Sequence, residues 1–324
     1  MLARERPILH DRRKLFQTPL LIPSFSSKGF PEMRKIIELM KEFITDVVLV
    51  SAYDQHYRHL DARKITFPTV IFLDSGGYEA RVEHDLSEAY GQDYKPAQWT
   101  IHNHRNVLRD WKSSVPTVAV NFDSPRRHYA LAQQIALASR LKDEFPQFPH
   151  EFLIKPSPKQ RWVDLDSIAP MVEALQGFTV IGLTEYELDD TLLGRMEKIA
   201  RFRMILDSAN VTAPIHIFGS LDTFSTPLYF LSGAEIFDGL TWLRFGFLNG
   251  QTIYKHNYGA RSGTNGIIKT SLDLVHTMWK ENYYYLQSLR DEMCGYVHTS
   301  DFNSFKHIGP QLEQAFHQLE ARLG

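Results

Sequence analysis

A chain of 324 residues with 43% hydrophobic and 23% charged residues and a formal net charge of −2 has the composition of an ordinary globular protein with room for a large buried core. That balance excludes a globally basic nucleic-acid binder, so any phosphate contact must come from a local patch. The single cysteine, Cys294, excludes an intramolecular disulfide framework and a CxxC metal cluster and agrees with a reducing compartment.

The start of the chain lacks a signal-peptide pattern, and no apolar run reaches membrane-spanning length. The expectation is a cytoplasmic protein with no membrane partner. Eight short runs rich in β-branched and aromatic residues then follow in order: 20–25 (LLIPSF), 47–52 (VVLVSA), 69–74 (TVIFLD), 117–123 (TVAVNFD), 151–156 (EFLIKP), 179–184 (TVIGLT), 214–220 (PIHIFGS) and 235–242 (EIFDGLTW). Such nearly continuous apolar runs suit parallel strands covered on both faces. Between them, residues 31–44, 126–145 and 189–206 repeat apolar positions at three and four, the period of an amphipathic helix.

The alternation predicts an α/β fold, a (β/α)8 barrel over residues 1–270. Residues 271–324 are expected to form a C-terminal helical extension packed on it, beginning with the Tyr- and Trp-rich helical pattern over 271–293. The competing architecture is an open doubly wound sheet, disfavoured because no glycine-rich dinucleotide fingerprint follows the first strand. Residues 76–115 are too many for a plain crossover and predict an insertion near the site as well as a helix.

Three aspartates fall at or near the ends of predicted strands: Asp74, Asp123 and Asp238. Barrels place their chemistry at that rim. Any one of them reads equally as a helix cap or an ion-pair partner. Together they describe a pocket where crowding raises one carboxyl's proton affinity while another stays ionised, which gives a general acid and a nucleophile for displacement at a sugar carbon. Gly76 and Gly77 allow close backbone approach to a planar ligand, or form a plain tight turn, and Tyr78 offers a face for a base. Around the same rim, Arg126, Arg127, Lys155, Lys159, Arg161, Arg244 and the stretch from Lys255 to Arg261 supply cations for phosphates, although singly each reads as a solvated charge.

The motifs TPLLIPSF, VLVSAYDQH, LDSGGYE, VNFDSP, VIGL, IFGS and FDGLTWLRFGFLNGQ, spread over about residues 18–251, resemble those of the tRNA-guanine transglycosylase superfamily. Its members exchange a guanine in a nucleic acid for a 7-deazaguanine on a (β/α)8 barrel. The resemblance implies that Asp238 is the nucleophile and Asp74 the general acid and base. It implies a base pocket made by Asp123 reading the purine edge, Ser75 and Tyr78 in the loop, Gly182 and Leu183 through backbone, and Phe218 and Gly219 as wall and floor. Arg244 and the Asn249-Gly250-Gln251 ending match position by position.

Three departures bear on the substrate. Lys155 stands where the family has a base-reading glutamine. The Cys-x-Cys-x-x-Cys and His zinc ligands are missing, with Glu281 where the histidine would fall. The chain after Gln251 is short. These departures make the chain more similar to the zinc-less DNA-guanine transglycosylases, which use a free 7-deazaguanine base such as 7-cyano-7-deazaguanine, and imply no metal and no cofactor. DNA is the favoured polymer and tRNA the alternative; a homodimer or partner subunits are left open. Competing readings are a barrel N-glycoside hydrolase using the same carboxylates and a non-catalytic subunit, the latter disfavoured because all three aspartates are present. A metal site from His256, His276, His298 and His307 with Cys294 is the minor alternative.

Overall fold

The eight apolar runs are strands in a computed structural model that describes residues 2–10, 13–81, 94–261 and 266–324. A short hairpin of β1 (Pro7–His10) and β2 (Arg13–Gln17) precedes them. They are β3 (Leu20–Pro23), β4 (Val47–Ser51), β5 (Val70–Asp74), β6 (Thr117–Val120), β7 (His150–Ile154), β8 (Val180–Thr184), β9 (Ile215–Phe218) and β10 (Ile236–Gly239). Their order in the sheet is β3-β10-β9-β8-β7-β6-β5-β4, and a parallel bridge from Ser24 to Leu49 joins the end of the first strand to the last strand of the row. The fold is an α/β (β/α)8 barrel with C-terminal helices. Nearly every residue of these eight strands is buried, as parallel strands covered on both faces must be.

The chain forms two compact units, one of residues 1–8, 17–23 and 183–324 and one of residues 9–16 and 24–182. The second unit carries α1 (Met33–Met40), α2 (Ala52–His56), α3 (Ile101–Asp110), α4 (Leu131–Glu144) and α5 (Leu165–Ile168). On α1 the buried residues are Met33, Ile36, Ile37 and Met40, the three-and-four spacing that put 31–44 in a helix. The run at 117–123 stops being strand at Val120, and the Asn121 side chain takes over the ladder by accepting from Leu153 N at 2.6 Å. Of the insertion expected over 76–115, residues 82–93 lie outside the described residues; α3 supplies the expected helix.

The first unit holds α6 (Leu192–Ser208), α7 (Ser225–Leu231), α8 (Thr241–Arg244), α9 (Lys255–Arg261), α10 (Ser271–Thr299) and α11 (Gly309–Leu323). The run at 235–242 ends as strand at Gly239 and turns into α8, so Trp242 is buried from a helix. A second hairpin, β11 (Phe245–Leu248) with β12 (Gln251–Tyr254), turns on Asn249 and Gly250 with φ of 50° and 75°. Two consecutive left-handed residues are what a two-residue hairpin turn of matching twist requires, and Asn-Gly supplies them. The α10 helix is fastened by Asn282, which accepts from Phe247 N at 2.7 Å and donates to the carbonyls of Trp242 at 2.6 Å and Phe245 at 2.7 Å.

Glu235, just before β10, is fully buried. It accepts from Arg6 Nε at 2.5 Å, Arg203 Nη2 at 3.2 Å and Ile215 N at 2.7 Å. Removing one partner of such a pair strands buried guanidinium charge. Glu235→Ala is therefore expected to lower unfolding free energy in denaturant titration by about 3–5 kcal/mol; a loss below about 1 kcal/mol would show that the cluster contributes little.

Candidate active site

In the second unit, β5 delivers Asp74 directly into the loop Ser75-Gly76-Gly77-Tyr78. Asp74 is buried, and its Oδ2 accepts from Gly76 N at 3.0 Å. Ser75 is buried; its hydroxyl accepts from Gly77 N at 3.3 Å and its carbonyl from Trp99 Nε1 at 2.9 Å. Gly76 has φ of 86°, and a Cβ there would lie 2.6 Å from Tyr53 Cβ and 2.9 Å from Tyr53 N. At Gly77 a Cβ would lie 2.6 Å from Asp123 Oδ2, so the missing side chain is what lets the loop lie against Asp123. Close backbone approach accounts for both glycines, and at Gly76 the turn does so as well.

Asp123 lies three residues beyond the end of β6. Arg81 Nη2 donates to both its oxygens, at 3.0 and 3.2 Å, and Lys155 Nζ is 3.6 Å away. Lys155 is itself held by its backbone: Gln134 on α4 accepts from Lys155 N at 3.0 Å and donates to Lys155 O at 2.8 Å. Thus Asp123 is ion-paired with Lys155, singled out with it as a base reader, and with Arg81, which sequence reasoning missed. Tyr78 is partly exposed, with the Lys28 ammonium 4.3 Å from its ring centre. Arg126 and Arg127 are exposed, and Ser124 Oγ accepts from both backbone amides at 3.4 and 3.1 Å.

Two further buried acids in this unit were also missed. Asp54 follows β4 on α2 and accepts from the Ser27 amide at 3.0 Å and the Ser27 hydroxyl. Glu79 accepts from Ser26 Oγ at 2.5 Å and Ser51 Oγ at 2.8 Å. Burial first, and for Glu79 the nearby Asp54 charge next, push the Asp54 carboxyl up to about 6 and that of Glu79 up to about 7. Gly182 is buried in β8.

In the first unit, Asp238 sits in β10, in register with Ile22, and is buried. Its Oδ1 accepts from Gly219 N at 3.1 Å and lies 3.2 Å from His216 Nε2. The His216 ring stacks on Phe218, with centroids 3.9 Å apart and planes at 27°. Gly219 has φ of 83°, and a Cβ there would meet nothing within 4 Å, so conformation rather than crowding asks for glycine. Leu183 is buried in β8.

Other cations and acids of this unit have varied settings. Arg244 is buried at the end of α8, Lys255 is half-buried, and the exposed Arg261 donates to Gln251 Oε1 at 3.4 Å. Glu185, immediately after β8, accepts from Tyr229 OH at 2.7 Å and Arg195 Nη1 at 3.1 Å. Tyr258 OH donates to Glu281. Among the described residues no group of three His, Cys, Asp or Glu side chains gathers as metal ligands would, and no helix is long and apolar enough to cross a membrane.

His216 gave no motif signal, since a histidine inside an apolar strand reads as core. Glu79 lies inside LDSGGYE, past the strand end, where an acid carries no signal of its own. Compared with models of known protein families the chain matches none, and no curated protein is significantly similar to it.

The Asp74 loop gives a direct test of this geometry. Gly76→Ala must strain a left-handed residue and press on the Tyr53 backbone, so it is expected to destabilise the protein by about 1–3 kcal/mol. An unchanged unfolding midpoint would show that the loop does not need this turn.

Proposed function

We propose that the protein is a guanine transglycosylase, one that replaces a guanine in a nucleic acid with a 7-deazaguanine base through a covalent aspartyl–sugar intermediate. The observation that carries the reading is the setting of Asp238, a buried carboxylate in an apolar parallel strand, whose Oδ1 is oriented by Gly219 N and faced by His216. Burying such a group is costly, so a position that keeps it, oriented by a backbone amide, suits a nucleophile. The Asp74-Ser75-Gly76-Gly77-Tyr78 loop and the resemblance of its motif to the transglycosylase superfamily support the same reading.

The chemistry needs both carboxylates at one glycosidic bond, where barrel enzymes carry residues from the C-terminal ends of their strands. The target nucleotide first leaves the stack, at a cost of a few kcal/mol that is smallest in single strands. Asp238 then bonds to the anomeric carbon as the carbon–nitrogen bond breaks, and Asp74 gives its proton to the departing guanine. The incoming base loses its proton to Asp74 and displaces Asp238, which restores both groups. One glycosidic bond replaces another, so the net reaction consumes no cofactor.

Asp123, paired with Arg81 and Lys155, is an acceptor suited to the N–H edge of a purine. The Lys155 ammonium in place of a glutamine offers donors only, so it would act on a base through Asp123 or through an acceptor such as a nitrile. The missing zinc ligands favour DNA over tRNA as the polymer. Exposed Arg126, Arg127 and Arg261 would supply contacts to phosphates.

Incubation with labelled guanine and either single-stranded DNA or tRNA tests the reading. Label should enter the polymer with the wild type, in DNA more than in tRNA, and not with Asp238→Asn or Asp74→Ala, both folded. Abasic sites without incorporated label would make the protein a hydrolase, and exchange at the normal rate by Asp238→Asn would remove that residue from the chemistry.

A further inference from the structure

Behind the Asp74 loop, two more acids are buried among three serines. Ser51 pairs in register with Asp74 across β4 and β5. Its hydroxyl accepts from Tyr53 N at 3.1 Å, so its one proton goes to Glu79 Oε2 at 2.8 Å. Ser26 repeats the arrangement, accepting from Lys28 N at 3.1 Å and donating to the other Glu79 oxygen. The next residue, Ser27, holds Asp54 through both its amide and its hydroxyl. Two adjacent serines therefore tie the loop after β3 to an acid on α2 and to the acid that ends the Asp74 loop.

Among the described residues, Lys28 is a buried cation beside this cluster. Its ammonium donates to the carbonyls of Tyr78 at 3.2 Å and Arg81 at 3.1 Å. The remaining titratable groups around it are Asp74, Tyr53, whose hydroxyl accepts from Ala97 N at 2.7 Å, and Tyr94, whose hydroxyl donates to Glu79 O at 2.8 Å. A glutamine would fill the Glu79 site with the same shape and no charge. Two buried acids held by serine hydroxyls and backbone amides, with no ion pair to either among the described residues, are an expensive way to shape a loop.

We propose that Asp54 and Glu79 are positioning residues for Asp74: they clamp its loop from behind and place negative charge beside the carboxyl that delivers a proton to the leaving base. The proposal rests on the reading of Asp74 as the proton carrier. Asp74 is among the charges that push Asp54 upward, so the two carboxyls interact. With Asp54 up at about 6 and Glu79 up at about 7, the pair carries charge at neutral pH that solvent screens poorly.

Titration of the aspartate side-chain carboxyl carbons by NMR tests this in the absence of substrate, with Asp74→Asn identifying the Asp74 signal. In Asp54→Asn the Asp74 carboxyl should titrate about one pH unit lower than in the wild type; an unmoved titration would overturn the proposal. Glu79→Gln, an isosteric change, provides a second readout that survives poor folding of the first variant. Because the folded-state affinity of Glu79 for its proton is raised, its stabilising contribution is fully present below about 4.5 and lost as pH rises through about 7.

The stability of the wild type relative to Glu79→Gln should therefore fall between about pH 5 and pH 8, and parallel curves would overturn the assignment of Glu79. In the exchange reaction the alkaline limb should move to lower pH in Asp54→Asn. A shifted titration with no exchange in the wild type would sink the catalytic reading and leave the coupling intact; normal exchange with an unshifted titration would do the reverse.

Discussion

Taking a carboxylate out of water costs several kcal/mol unless donors replace the lost solvent, and the ends of the strands in this protein are shaped by that replacement. The donors fall into two kinds. Asp123 is met by Arg81 and Lys155, Glu185 by Arg195 with Tyr229, and Glu235 by Arg6 and Arg203. In these the charge is neutralised locally and the group is fixed. Asp54 and Glu79 receive serine hydroxyls and backbone amides, and backbone amides reach Asp74 and Asp238. A neutral donor orients a carboxylate without cancelling its charge, which leaves proton affinity open to adjustment by neighbours.

The same division gives the local backbone its form. Gly76 takes a left-handed turn because the loop must fold back onto Tyr53, and its own amide then reaches Asp74 Oδ2. Gly77 lacks the atom that would collide with Asp123. Gly219, also left-handed, points its amide at Asp238. At Asp74 and Asp238 alike, a left-handed glycine supplies the donor that holds the acid, so the loop conformation and the electrostatics come from one choice of residue.

The strands were legible because burial on both faces leaves an unbroken apolar run, and all eight runs from 20–25 to 235–242 are strands. Helices α1, α4, α6 and α10 were legible for the matching reason, a repeat at three and four. What escaped was local. The β11 and β12 hairpin hid inside a longer motif, although Asn249-Gly250 is its turn signal. The α8 turn breaks an apolar run whose composition does not change at Gly239. Asp74, Asp123 and Asp238 could be picked out because an acid closing an apolar strand is conspicuous. Partners supplied from a distance could not: Arg81 and Lys155 come to Asp123 from different loops, Ser26 and Ser27 precede Asp54 and Glu79 by many residues, and His216 lies in a strand that reads as core. Such pairing depends on which loops meet, and no local spacing encodes it.

The claim at the centre of this account is that Asp238 forms a bond to a sugar carbon. Peptide mass spectrometry of protein quenched on a guanine-containing oligonucleotide, with no incoming base supplied, measures this directly. The account predicts a pentose-bearing adduct on the peptide that contains Asp238, at that residue. Release of base with no adduct, or an adduct on a different acid, would contradict it.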